Sequence, residues 1–374
     1  MIHAASVGEV QAAAPLVRAL LKRYPEIPLV LTTMTPTGSE RVRELFGETV
    51  EHSYVPFDLV GAVRRFIGRA RPELVVILET ELWPNLFHQC RQSDIPILIA
   101  SARVSARSAD RYRRLTGLFR ETLSSGVVIA AQTEIDVDRF VTLGANPDYT
   151  SKAGNIKFDF ELPPDLTAQG HAFRRDHAPD RPVWIAASTH GEEDELVVAA
   201  HRKVITDCPD AILILVPRHP ERFPVAKSML ERTGLTFVTR SSGTRCRSDT
   251  QVFLGDSLGE LTLFYAAADV AFVGGSLVPV GGHNLLEAAA LGLPILTGPH
   301  NFNAPDIAVL LQDSGSTKIV GSAHELADSV IKLLADESER QLRGKAGRDV
   351  VTHNRGTLRR LLEIVASLVA EKSG

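Results

Sequence analysis

Gly274-Gly275-Ser276-Leu277-Val278-Pro279-Val280-Gly281-Gly282-His283-Asn284-Leu285-Leu286-Glu287 is the stretch whose reading decides the fold. It follows Val270-Ala271-Phe272-Val273, an apolar run as long as a buried parallel strand, and it leads into Leu285 to Leu291, which reads as helix. Strand, glycine turn and helix start follow one another without a gap. The glycines let the backbone approach a ligand closely, and free N–H groups at the helix start, with the positive end of its dipole, favour a phosphate. Glu287 falls about one helical turn inside, where a carboxylate can accept two hydrogen bonds from a ribose diol. The alternative is a tight strand-to-helix turn in which Glu287 only complements the dipole. Glycine spacing alone does not separate the two.

Working outward, the same alternation runs through the whole chain. In the first half, Ile2–Ala5, Leu29–Thr33, Leu74–Glu79, Ile95–Ser101 and Val127–Gln132 read as strands separated by helical periods. The pattern breaks around Asn155-Ile156-Lys157-Phe158-Asp159 and Leu162-Pro163-Pro164, which reads as a linker. A second series follows: Val183–Ala187, Ile212–Val216, Thr236–Thr239, Gln251–Leu254, Val270–Val273, Ile295–Leu296 and Lys318–Val320. The expected class is α/β, with two Rossmann-like domains, residues 1–155 and 156–374, facing across a cleft. Ligands in such sheets bind outside the carboxyl ends of the strands. The closing helix, Thr357 to Ala370, carries Leu358, Leu361, Leu362, Val365 and Leu368 on one stripe, so it packs on a domain and could return to the first one.

A chain of 374 residues, 44% hydrophobic, is long enough for two ordinary domains. Its apolar runs are strand-sized, for example Leu74 to Leu78, so neither a membrane-spanning helix nor a signal peptide is expected. Cys90, Cys208 and Cys246 show no CxxC pairing and read as free thiols. The net charge of −4 comes from the second half. In the first half Arg103, Arg107, Arg111, Arg113, Arg114 and Arg120 surround one acid, Asp110, and Arg64, Arg65, Arg69 and Arg71 have none between them. Helices of one sign suggest an anionic partner, whereas a merely solvated face usually carries both signs.

The informative residues then lie at strand ends. Ser6-Val7-Gly8-Glu9 places a carboxylate at a helix start, either at a ligand site or as a first-turn acid favoured by the dipole. Glu79-Thr80-Glu81-Leu82-Trp83-Pro84-Asn85 ends an apolar strand in two acids, with Pro84 suited to a first helical turn. Pro217-Arg218-His219-Pro220 presents a cation on a rigid turn. Ser188-Thr189-His190 admits a Ser-His hydrolytic pair, but no GxSxG elbow accompanies it. Asp136-Val137-Asp138 is not read as a metal motif, because Thr133 caps a helix there and positions two apart do not share a helix face. No metal cofactor is expected.

These motifs together, with Thr33-Met34-Thr35-Pro36-Thr37-Gly38-Ser39 and Pro217-Arg218-His219-Pro220-Glu221-Arg222-Phe223, strongly resemble the 3-deoxy-D-manno-octulosonic acid (Kdo) transferases of lipopolysaccharide synthesis, over nearly the whole chain. The resemblance implies a B-type glycosyltransferase fold (GT-B), an inverting and metal-independent transfer, CMP-Kdo as donor and the tetraacylated lipid A precursor as acceptor. It implies Glu9 as the proton acceptor, Glu79 and Lys157 as transition-state stabilisers, and Pro217, Arg218, Leu258, Gly259, Glu260, Asn284, Leu285, Leu286 and Glu287 as the CMP site. The first domain would bind the acceptor and the second the donor. Members of the family begin with a hydrophobic membrane anchor and a short basic stretch, whereas this chain begins at its first strand. Truncation or a misassigned start would account for that, and the expectation is peripheral attachment to the cytoplasmic face of the bacterial inner membrane through the basic helices. No nucleic acid partner is expected. Another GT-B transferase or epimerase using a nucleoside-diphosphate sugar, and a non-catalytic nucleotide-sugar-binding module, are the alternatives.

Overall fold

The computed structural model describes residues 1–373 apart from 106–107, 110–111, 113–115 and 124–125. Arg107, Arg111, Arg113 and Arg114 of the basic run therefore lie outside the described residues. The chain forms two compact units, Met1–Phe160 together with Asn354–Gly374, and Glu161–His353.

The first unit is built on a sheet of seven parallel strands in the order β3-β2-β1-β4-β5-β6-β7. These are β1 (Ile2–His3), β2 (Val30–Thr33), β3 (Glu51–Tyr54), β4 (Val75–Leu78), β5 (Ile97–Ala102), β6 (Val127–Ala131) and β7 (Thr150–Lys152). The central strands β4 and β5 are buried throughout, as strands covered on both faces must be, and so they read as unbroken apolar runs. Two edge strands escape the sequence reading. Glu51-His52-Ser53-Tyr54 and Thr150-Ser151-Lys152 are largely open to solvent and need no apolar run to pair with one neighbour.

The last helix, Thr357–Ser373, belongs to this unit. Leu361 and Val365 are buried in the same core as Val10, Ala13, Leu16 and Val17 of helix Val7–Arg23. Its start is fixed from a distance: the Asp159 carboxylate accepts N–H from Gly356 at 2.6 Å and from Leu358 at 2.7 Å. That satisfies amides the helix leaves open, and it ties the segment before Phe160 to the chain's return. Arg360 adds a bond from Nε to the Ala153 carbonyl at 2.7 Å.

The second unit repeats the plan with seven parallel strands in the order β10-β11-β9-β8-β12-β13-β14. They are β8 (Val183–Thr189), β9 (Ile212–Pro217), β10 (Phe237–Thr239), β11 (Val252–Leu254), β12 (Val270–Val273), β13 (Ile295–Thr297) and β14 (Thr317–Ile319). In both sheets the strand order reverses beside the first strand of the unit, between β1 and β4 and between β8 and β12. Loops leave that point in opposite directions, which opens a crevice at the carboxyl ends.

Candidate active site

Glu9 and Glu79 stand on the two sides of the first reversal, one after β1 and the other after β4. Ser6 caps helix Val7–Arg23 and locks Glu9 in a reciprocal box: the Glu9 N–H donates to Ser6 Oγ at 3.4 Å, and the Ser6 hydroxyl donates to Glu9 Oε1 at 3.0 Å. The other carboxylate oxygen accepts the Ala5 N–H at 2.8 Å. Burial pushes the Glu9 carboxyl up to about 7; the charges of Glu79 and Glu81 add to the rise, and the Ala5 and Ser6 bonds oppose it. A carboxylate with that value exchanges protons near neutrality.

Glu79 has φ 58, a backbone region that disfavours side chains larger than glycine and that recurs at functional sites. Its Oε1 holds Lys157 Nζ at 2.5 Å, and both side chains are about a quarter exposed, 26% and 27%. Lys157 is delivered by a short 3₁₀ turn, Ile156–Phe158, whose N-cap Asn155 accepts the Lys157 N–H at 3.0 Å. Asn155 in turn donates to Gln132 Oε1 at 3.1 Å, and the Ile156 N–H donates to Ser101 Oγ at 3.0 Å. Glu9, Glu79, Glu81, Thr80, Arg103 and Tyr112 line one cavity of about 200 Å³. Behind it, Asp58 caps helix Pro84–Gln92 through the N–H groups of Asn85 and Leu86, at 3.0 and 2.9 Å, and so sets the Glu79-to-Pro84 loop in place.

Asp136 acts as a structural acid. It accepts the hydroxyl of Thr133, the N-cap of helix Glu134–Thr142, at 2.6 Å and the N–H of Val104, which follows β5, at 3.0 Å.

In the second unit the residues assigned to CMP lie at or after the carboxyl ends of β9, β11 and β12. Pro217 ends β9 and Arg218 follows it, its N–H bonded to the Thr189 carbonyl at 3.0 Å. Leu258, 70% exposed, and Gly259, at φ 80, follow β11; Glu260 next to them is paired with Arg240 at 2.6 and 2.9 Å, which keeps its carboxyl below the usual range. Asn284 ties down the start of helix Leu286–Ala290 by accepting the Leu286 N–H at 3.1 Å, and donates to Glu287 Oε1 at 3.0 Å. Leu285 and Leu286 are buried, so they can offer a ligand only their backbone. Burial raises the Glu287 carboxyl, while Asn284 and then Arg218 oppose the rise.

The first part of the glycine turn binds an internal group. Its amides at Gly275, Ser276 and Leu277 donate to the buried carboxylate of Glu193, at 2.6, 3.1 and 2.9 Å, and Gly281 and Gly282 donate to the Gly275 carbonyl at 3.1 and 2.8 Å. An internal carboxylate therefore occupies these three donors, which precede the helix start to which the sequence reading assigned a phosphate. Glu193 has no motif of its own, and only the first-turn acid run Glu192-Glu193-Asp194 marked it. The Ser-His hydrolytic pair is not formed: His190 Nε2 lies 2.7 Å from Nε2 of His283.

A family model described as 3-deoxy-D-manno-octulosonic-acid transferase (kdotransferase) matches residues 1–160, and one described as glycosyl transferases group 1 matches residues 240–350. A 3-deoxy-D-manno-octulosonic acid transferase of Haemophilus influenzae is 46% identical over 97% of this chain and 86% of the relative. Its counterpart in Bordetella pertussis is 38% identical over 97% of this chain and 85% of the relative. Among solved structures, UDP-GlcNAc 2-epimerase from Neisseria meningitidis superposes with a TM-score of 0.62 at 15% identity, over 98% of this chain and 99% of the other. A glycosyltransferase from Rickettsia africae superposes with 0.60 at 12% identity, over 98% of each. Those two likenesses carry the fold, the GT-B architecture of paired parallel sheets; the sequence relatives carry the rest. With the strand-end acids in place and near-full-length relatives of one kind, the chain belongs to the 3-deoxy-D-manno-octulosonic acid transferase family of glycosyltransferases.

Proposed function

We propose that the protein moves Kdo from CMP-Kdo to the tetraacylated lipid A precursor, inverting the anomeric centre and using no divalent metal. Glu9 takes the proton from the acceptor hydroxyl as that oxygen bonds to the anomeric carbon, and the bond from that carbon to the phosphate oxygen of CMP breaks. The electron pair leaves with CMP, so negative charge grows on one phosphate while the sugar passes through an oxocarbenium-like state. Lys157 and Glu79 stabilise this charge redistribution, and Arg218, Glu260, Glu287 and the backbone around Gly259 and Leu285 hold the nucleotide. The observation that supports the reading is Glu9: a carboxyl held by two hydrogen bonds and lifted to about 7, in a cavity it shares with Glu79.

Incubation with CMP-Kdo and the lipid A precursor, followed by mass spectrometry of the lipid, tests the reading. Addition of Kdo, undiminished in excess EDTA, is the expected result. Turnover of a nucleoside-diphosphate sugar in its place, or EDTA inhibition reversed by Mg²⁺, would overturn it. No helix among the described residues is long and apolar enough to cross a membrane. Attachment to anionic lipid through the basic helices is part of the same reading. Because each surface arginine contributes roughly 1 kcal/mol near such a membrane, vesicle binding should weaken steeply with salt.

A further inference from the structure

His190, His219 and His283 converge on the second reversal point. His190 follows β8, His219 follows β9, and His283 closes the glycine turn after β12. The His190 and His283 rings are nearly parallel, 6° apart, with centroids 5.0 Å apart and Nε2 atoms 2.7 Å apart. That is a tip-to-tip N–H···N hydrogen bond, so one Nε2 carries the proton and the other accepts it. His219 meets the His190 ring edge-on at 5.3 Å. The turn is shaped for this pair. A Cβ on Gly275, which has φ 66, would lie 2.8 Å from the His283 ring and 3.4 Å from that of His190.

We propose that His190 and His283 act as one proton-accepting unit that binds the phosphate of the donor together with Arg218. The inference rests on reading this unit as the nucleotide-binding one and adds to it how the phosphate is met. Three observations converge. The place is a reversal point, where parallel sheets take their ligands. The turn amides of Gly275, Ser276 and Leu277 are engaged by Glu193, so an anion there is met by the imidazoles and Arg218 rather than by those three amides. The neutral pair has one ring protonated on Nδ1 and the other unprotonated there. A single added proton makes both Nδ1 atoms donors and the pair cationic.

The surroundings determine when that proton arrives. Arg218, His219 and Arg222 oppose it around His190, where Asp194 favours it; Arg218 and His219 oppose it around His283. The Glu193 carboxylate accepts the His190 backbone N–H at 3.2 Å. Burial, with those neighbours, holds His283 down to about 3 and lowers His190, so the unliganded pair is neutral near pH 7. An anion arriving beside Arg218 and Arg222 reverses the balance and draws the proton in. Since binding raises the pKa of the pair, affinity is highest in acid and is lost as pH rises through the bound-state value, by up to about tenfold per pH unit for one proton.

Calorimetric titration of the full chain with the methyl ester of CMP, whose single phosphate charge does not titrate near neutrality, tests this. In buffers of differing ionisation heat near pH 7, binding should take up as much as one proton, and affinity should fall severalfold from about pH 6 to about pH 8. His190→Asn and His283→Gln should each abolish the uptake and flatten the pH dependence, while cytidine, without a phosphate, binds wild type and variants alike. The wild-type uptake needs no variant to fold. Binding of the ester with no proton taken up would overturn the imidazole pair and leave the nucleotide reading standing. If neither the ester nor CMP binds, the nucleotide reading falls, and sulfate, which does not titrate in this range, then tests the pair alone. Sulfate uptake with a proton supports it, and sulfate binding without one, or none at all, overturns it.

Discussion

Lys157 Nζ lies 2.5 Å from Glu79 Oε1, although the two residues are 78 positions apart in the chain. At about a quarter exposure the pair contributes on the order of 1 kcal/mol or less to folding, so a structural purpose alone does not account for holding Glu79 at φ 58. Lys157→Met is expected to leave the melting temperature nearly unchanged and to lower kcat by roughly 10²- to 10³-fold, as the loss of one preorganised charge does. Steady-state kinetics beside thermal denaturation checks this; an unaltered kcat would assign the lysine to packing.

Glu9→Gln keeps the shape of the side chain and removes the proposed base. Turnover should drop about 10²- to 10⁴-fold. In the wild type, activity should rise with pH through about 7 as Glu9 ionises, and the variant's residual rate should lack that limb. Stability has its own sign. The folded value lies above the ordinary 4.5, so the stability Glu9 contributes is present below about 4.5 and is lost as pH rises through about 7. The variant, which cannot ionise, should therefore melt above wild type at about pH 8 and not at about pH 4.

Glu193 accepts backbone N–H groups from His190, Gly275, Ser276 and Leu277 while fully buried. In Glu193→Gln an amide NH₂ would face some of those same donors, so lost charge-assisted bonds and buried unpaired groups should cost about 3–5 kcal/mol. Chemical denaturation measures the loss. Calorimetry with CMP should show weakened binding in the protein that remains folded, because the glycine turn and the His190 backbone are held by this carboxylate.

Asp159→Ala removes the group that ties Gly356 and Leu358 to the segment carrying Lys157. A lost helix cap costs about 0.5–2 kcal/mol. The variant should melt a few degrees lower, and its kcat should fall more than its donor KM rises, since the residues proposed to hold the nucleotide belong to the other unit. A donor KM effect larger than the kcat effect would contradict that division.

Local rules made much of this protein legible. Val75–Leu78 and Ile212–Pro217 are apolar throughout because parallel strands are covered on both faces, and that pattern needs no tertiary knowledge. Thr133 before Asp136 is a capping spacing, which marked Asp136 as a helix-start acid without a structure, whereas for Glu9 the sequence left a ligand site and a first-turn acid both open. The polar edge strands Glu51–Tyr54 and Thr150–Lys152 stayed hidden, since an edge pairs through its backbone on one side only and asks little of its side chains. Partnerships across long separations belong to the tertiary structure alone. Nothing in the spacing of Glu193 and Gly275, or of His190 and His283, which are 93 residues apart, announces that they meet. Such contacts arise because the order β9-β8-β12 brings three strand ends side by side, and only then does a buried carboxylate from the helix after β8 reach the turn amides after β12.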